Sequence, residues 1–198
     1  MIYCKEMLVK ELKSHYLVTL IWLATIVVLR LLLNLQLFFN TINLINWLLF
    51  CLGALLGTML LDIDQLVSAL FFYPPNASSQ QIRQLLRQSK FKQIVFLLAD
   101  TYQERVKLPF HSAIFQTFLV IFSFWVLTST GNWLGKGMVM AMNLHLLKDE
   151  IHLWLLKKED LIRPWLFWQI KREVTLREQQ IFITVMLLLF LGLDFLLV

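Results

Sequence analysis

The sequence predicts an all-α fold: a polytopic helical membrane protein with about five transmembrane helices plus interfacial amphipathic helices. Three observations carry that prediction: an excess of apolar residues, their arrangement in long blocks, and the segregation of Lys and Arg between the blocks. Hydrophobic residues make up 59% of the chain and charged residues 16%. Ordinary soluble domains hold roughly 45–50% on a count that includes Gly, and about 25% charged residues. At 198 residues the chain is read as a single integral membrane domain, 1–198.

The blocks define the elements in order. Residues 15–39, HYLVTLIWLATIVVLRLLLNLQLFF, carry one charge, Arg30, and form the first expected span. The second, 45–73, begins INWLLFCLGALLGTMLL and runs on past two acids, Asp62 and Asp64. Residues 110–128 and 133–156 supply the third and fourth, and 181–198 the last, which contains Asp194. Each is near the ~20 mostly apolar residues that a helix needs to cross a bilayer. Cys4 and Cys51 form neither a disulfide framework nor a zinc-type CxxC pair and are read as free thiols.

Between the spans the charge is uneven. Lys5, Lys10 and Lys13 precede the first span; Arg83, Arg87, Lys90, Lys92, Arg105 and Lys107 separate the second from the third. Lys157, Lys158, Arg163, Lys171, Arg172 and Arg177 separate the fourth from the last. Lys and Arg accumulate in cytoplasmic loops, so the N-terminus is expected in the cytoplasm and the C-terminus outside. The net charge of +5 then suits the anionic headgroups of the cytoplasmic leaflet, with membrane lipids as partners and no nucleic acid required. Within the cytoplasmic segment 74–107, PPNASSQ signals a turn and a helix start, and QQIRQLLRQSKFKQIVFLLAD reads as an amphipathic helix on the membrane surface. The segment 157–178 mixes Trp165 and Trp168 with basic residues, as interfacial anchors do.

With this topology the buried polar groups fall at one depth. His15 opens the first span, Asp62 and Asp64 lie near the cytoplasmic end of the second, and His111 and Ser112 begin the third. His145 and Asp149 sit in the cytoplasmic half of the fourth, four residues apart and so on one helix face, with His152 one turn further on. A His-x-x-x-Asp pair can present an imidazole nitrogen and a carboxylate oxygen to one ion. Mutual pairing of His with Asp accounts for the same residues without a metal. No GxSxG elbow and no P-loop are present.

At these positions the chain resembles the YdjM-type family of inner-membrane-associated metal-dependent hydrolases. That family combines an early His, a P-D-I-D-H motif, an H-R-G-x-T-H-S motif and a final G-x(n)-H-x-x-x-D. Here SHYLVTLIW supplies His15, LLDIDQ supplies Asp62 and Asp64, VKLPFHS supplies His111 and Ser112, and GMVMAMNLHLLKD supplies His145 and Asp149. The match runs in order over roughly residues 14–156. Leu61 and Gln65 depart from the second motif, and Val106, Lys107 and Leu108 from the third, so two of the family's histidines are missing.

The resemblance implies a metal-dependent hydrolase in a bacterial-type inner membrane that acts through metal-activated water, while the depth of the polar groups points to a substrate reached from the cytoplasmic leaflet, such as a lipid or lipid-linked phosphoester. His15, Asp62, His111, His145 and Asp149 are the expected metal ligands, Asp64 a ligand or the general base, and Ser112 a group that orients a ligand or substrate. Histidine with carboxylate suits Zn²⁺ first, then Mn²⁺ or Fe²⁺. The rival class is a non-enzymatic membrane protein in which the same groups form a structural polar lock or an ion path.

Overall fold

The structure, a computed structural model, describes residues 2–33, 41–101, 107–129, 131–156 and 159–197. The end of the first expected span (34–39), the final Val198 and parts of the basic segments (102–106, 157–158) lie outside these residues. No strand occurs among the described residues. The longest helices are α1 (Ile2–Leu33) and α2 (Thr41–Leu60); a short helix α3 (Ile63–Val67) and a π-helical turn (Ser68–Phe72) continue α2. Two surface helices, α4 (Ala77–Arg87) and α5 (Phe91–Asp100), precede α6 (Ala113–Ser129) and α7 (Trp133–Leu155). Then come α8 (Glu159–Leu166) and α9 (Leu176–Phe195).

Contacts at two levels fix the directions of the long helices. At one level His15 of α1, Thr58 of α2 and His145 of α7 meet. At the other, the Arg30 guanidinium lies 5.2 Å from the ring centres of both Trp47 and Trp133. About 22 Å of helix separates His15 from Arg30, so α1 runs antiparallel to both α2 and α7. The two indole faces also explain how the one charge in the first apolar block is accommodated. Asp194 in α9 is partnered as well, accepting a 3.0 Å hydrogen bond from Trp22 Nε1 of α1.

Helix α7 sits in the middle, packed against α1, α2, α6, α8 and α9. Its contact with α2 is made backbone to backbone. A Cβ added at Gly53 or Gly57 would run into the main chain of Leu134 or Met138, and one at Gly137 into that of Phe50. Without a hydrophobic force between helices in lipid, such small-xxx-small seams supply close van der Waals packing. Asn143 Nδ2, donating to Ser123 Oγ at 2.8 Å, ties α7 to α6. Gly57→Val is expected to destabilise the fold by about 3 kcal/mol or more, at the upper end of overpacking because backbone cannot yield. Thermal unfolding in detergent measures it.

Among the described residues, three helices are long and apolar enough to cross a membrane: α1 through Lys13–Leu32, α2 and its continuation through Leu44–Phe72, and α9 through Leu176–Phe195. The expectation of five spans is met to that extent. Helix α6 is apolar throughout but has 17 residues. Helix α7 is long enough, but it carries Lys136, His145, Lys148, Asp149 and Glu150 because its neighbours enclose it. Outer faces tell the same story. Leu17, Leu20 and Ile21 of α1, Leu48, Leu52 and Leu56 of α2, Phe118, Ile121 and Trp125 of α6, and Leu188 and Leu191 of α9 are all exposed.

The surface segment forms two amphipathic helices where one was expected. Ser89 takes a left-handed conformation, φ 55°, at the end of α4. Ser89 N–H then donates to Leu86 O and Lys90 N–H to Leu85 O, a helix-terminating arrangement usually signalled by Gly. Helices α4 and α5 bury Ile82 and Ile94 against Ala69 beside the π-helical turn.

Candidate functional site

The site starts from a break in α2. Asp62 N–H bonds to Met59 O, one residue short of α-helical register. Thr58 O, which would have accepted that hydrogen, instead receives His145 Nδ1 at 2.8 Å. A carbonyl only accepts, so His145 carries a proton on Nδ1, and in the neutral ring its Nε2 bears the lone pair. That lone pair faces Asp149 Oδ2 at 3.3 Å and Asp62 Oδ1 at 3.9 Å. The break also turns the two acids apart: Asp64 is fully buried, whereas the Asp62 side chain is 50% exposed.

His111 is held by the same logic. Asp64 Oδ2 accepts from Phe110 N at 2.8 Å and His111 N at 3.2 Å, and lies 3.0 Å from His111 Nδ1. An oxygen already accepting two amides must also accept from the ring, so Nδ1 is protonated, and in the neutral ring Nε2 bears the lone pair. His111 Nε2 lies 3.9 Å from Asp149 Oδ2. The segment leading to His111 is pinned from several sides. Ser68 Oγ donates to Lys107 O at 2.9 Å and Trp168 Nε1 to Leu108 O at 3.3 Å, while the Trp165 ring packs 5.5 Å from that of His111.

His15 comes from α1 and stacks on His145, with ring centres 4.0 Å apart and planes 20° from parallel. Its Nε2 lies 3.4 Å from Asp149 Oδ1. One ligand atom each from His15, His145 and Asp149 lie within 4.8 Å of one another, a spacing that can hold a metal ion. His111 and Asp62 flank this trio. Asp64 stands behind His111, at its other ring nitrogen. The Ser112 hydroxyl turns to the backbone, donating to Pro109 O at 2.8 Å and accepting from Phe115 N at 3.3 Å as the N-cap of α6. His152 is exposed, although Ile151 and Leu153 on either side of it pack against the cluster around Ile162 and Leu166.

Two residues escaped the sequence reading. Thr58 contributes through its main chain, which no side-chain pattern reveals. Lys148 contributes directly: its Nζ lies 2.9 Å from His15 Nε2 and 3.1 Å from Asp149 Oδ1. A lysine inside an apolar block was the available signal, because an intramembrane ionisable group is a functional candidate by default.

The chemistry of the set is lopsided. With both rings neutral, His145 Nε2, Asp149 Oδ2, Asp62 Oδ1 and His111 Nε2 are all electron-pair donors turned toward one another. Such atoms at 3.3–3.9 Å repel unless a proton or a cation stands among them. The donor set, imidazole nitrogens with carboxylate oxygens, is one that Zn²⁺ and its first-row neighbours accept. Comparison with models of known protein families, with curated proteins and with solved structures finds no match. The family resemblance of the sequence thus rests on the quoted motif residues alone.

Proposed function

We propose that this chain is an inner-membrane metal-dependent hydrolase that works from the cytoplasmic leaflet on a lipid or lipid-linked phosphoester. The observation that carries this reading is the convergence of His15, His145 and Asp149, from distant parts of the sequence, with one ligand atom of each within 4.8 Å of the others. We read α6 and α7 as crossing with α1, α2 and α9, giving five spans, a cytoplasmic N-terminus and the C-terminus outside. The antiparallel run of α1 against α2 and α7 and the basic segments 74–107 and 157–178 support this topology.

In this reading His15, His145 and Asp149 hold the ion, with His111 and Asp62 completing its surroundings. Zn²⁺, or else Mn²⁺ or Fe²⁺, supplies a Lewis acid and lowers the pKa of water toward ~7. Asp62, exposed on one side and 3.9 Å from His145 Nε2 on the other, is placed to accept the proton of an incoming water. Asp64 orients His111, as a carboxylate behind a ligating histidine does. Ser112 acts through the start of α6, keeping His111 in place. Trp165, against His111, forms part of the wall where an acyl chain or prenyl tail would pass.

A second reading is favoured by Lys148: its ammonium already supplies a positive charge to Asp149, as a non-enzymatic polar lock would. Elemental analysis of the full-length protein, purified in detergent without chelator, decides between them. The hydrolase reading expects about one Zn, Mn or Fe per chain and metal-dependent cleavage of a lipid phosphoester. A folded protein that holds no metal, and takes none when Zn²⁺ or Mn²⁺ is added, leaves the lock alone standing.

A further inference from the structure

We propose that Lys148 is the resident cation of this cluster, bonded to His15 in the metal-free protein and released from it when a divalent ion binds. The proposal rests on the metal reading above and deepens it. An ammonium has donors only, so its contacts with His15 Nε2 at 2.9 Å and Asp149 Oδ1 at 3.1 Å both occupy lone pairs. His15 and Asp149 are two of the three residues of the candidate metal site, and Nε2 is the His15 nitrogen that faces Asp149. A histidine nitrogen has one lone pair. It serves an N–H donor or a metal, not both.

The three rings differ in a way that fits this role. His145 and His111 are each anchored through Nδ1, to Thr58 O and to Asp64 Oδ2. The Nδ1 of His15 is buried and has no hydrogen-bond partner among the described residues. His15 is therefore oriented from its Nε2 side, where Lys148 sits, and by stacking on His145. Lys148 holds the pocket in shape and screens the Asp149 carboxylate until an ion arrives. Its side chain is 13% exposed and that of Asp149 22%, so the pair lies just inside the surface. Once freed, the ammonium is a positive charge tethered beside the metal, suited to the anionic oxygens of a phosphoester.

The test uses the full chain in detergent with Zn²⁺ and Mn²⁺ as probes. Lys148→Met keeps the stem and removes the charge. Its metal affinity, measured by competition with a chromogenic chelator, is expected to rise ~10- to 100-fold, about the value of one charge-assisted hydrogen bond. Amine labelling of the wild type, read by peptide mass spectrometry, follows release directly. Lys148 is expected to react slowly without metal and faster with saturating metal, while Lys136, which lies over Trp133 at the far end of α7, stays constant. Tighter binding without the labelling change would mean that removal of charge alone accounts for the gain, and displacement would be wrong. Unchanged or weaker binding in the variant would overturn the proposal and leave the metal reading intact. If neither protein binds metal, the metal reading itself fails and this proposal with it.

Discussion

His145→Ala is expected to abolish metal retention through purification, the largest effect any single substitution at this site should have. His145 presents its Nε2 to Asp149 and Asp62, its ring face to His15, and its other nitrogen to Thr58 O. Removing it deletes a ligand and the surface on which a second ligand rests. Loss of an outer partner of a metal ligand typically lowers affinity ~10- to 100-fold, and loss of the ligand itself should exceed that. Metal stoichiometry and thermal unfolding of wild type and variant separate the readings. In the polar lock, no metal is lost because none was held. The variant is then merely less stable, by roughly 1–3 kcal/mol for the Thr58 carbonyl and Asp149 oxygen left without a partner.

Asp64 should show the second large effect, and two substitutions divide it. Asp64→Ala strands the amides of Phe110 and His111 and the His111 ring N–H in a buried place. At roughly 1–3 kcal/mol for each unpaired group, the loss is comparable with the whole stability of a typical domain, so little folded protein is expected. Asp64→Asn keeps a carbonyl oxygen for all three donors. It should fold, yet bind metal ~10- to 100-fold more weakly, because a neutral amide raises the basicity of His111 less than a carboxylate does. Asp64→Ala protein with wild-type unfolding temperature and metal content would remove Asp64 from the support of His111.

The parts of this molecule that were legible in the sequence are those set by short-range periodicity. Long apolar blocks announce α1, α2 and α9 because a helix in lipid needs apolar residues on its outer face along its whole length. The four-residue spacing of His145 and Asp149 announces a shared face because helical geometry dictates it. What stayed hidden depends on the surroundings. That α7 is enclosed follows from which helices pack on it, and Gly53, Gly57 and Gly137 acquire meaning only once α2 and α7 touch. Asp62 and Asp64 look equivalent in LLDIDQ, yet a local change of hydrogen-bond register sends one to the surface and the other behind His111. The turn at Ser89 carries no glycine to announce it.

The parentage of the site also bears on how the protein is made. His15 lies 133 positions before Lys148. At synthesis rates of about 5–20 residues per second, roughly 7–27 s pass between the appearance of these two side chains. Throughout that interval the imidazole of His15 lacks its Lys148 partner, which has not yet been translated. Nor can α2 or α6 complete the cluster, since His145 and Asp149 both belong to α7. Closure of the cluster is thus a late event in biogenesis, and a bound metal would report that α7 has packed against α1 and α2, which are made before it.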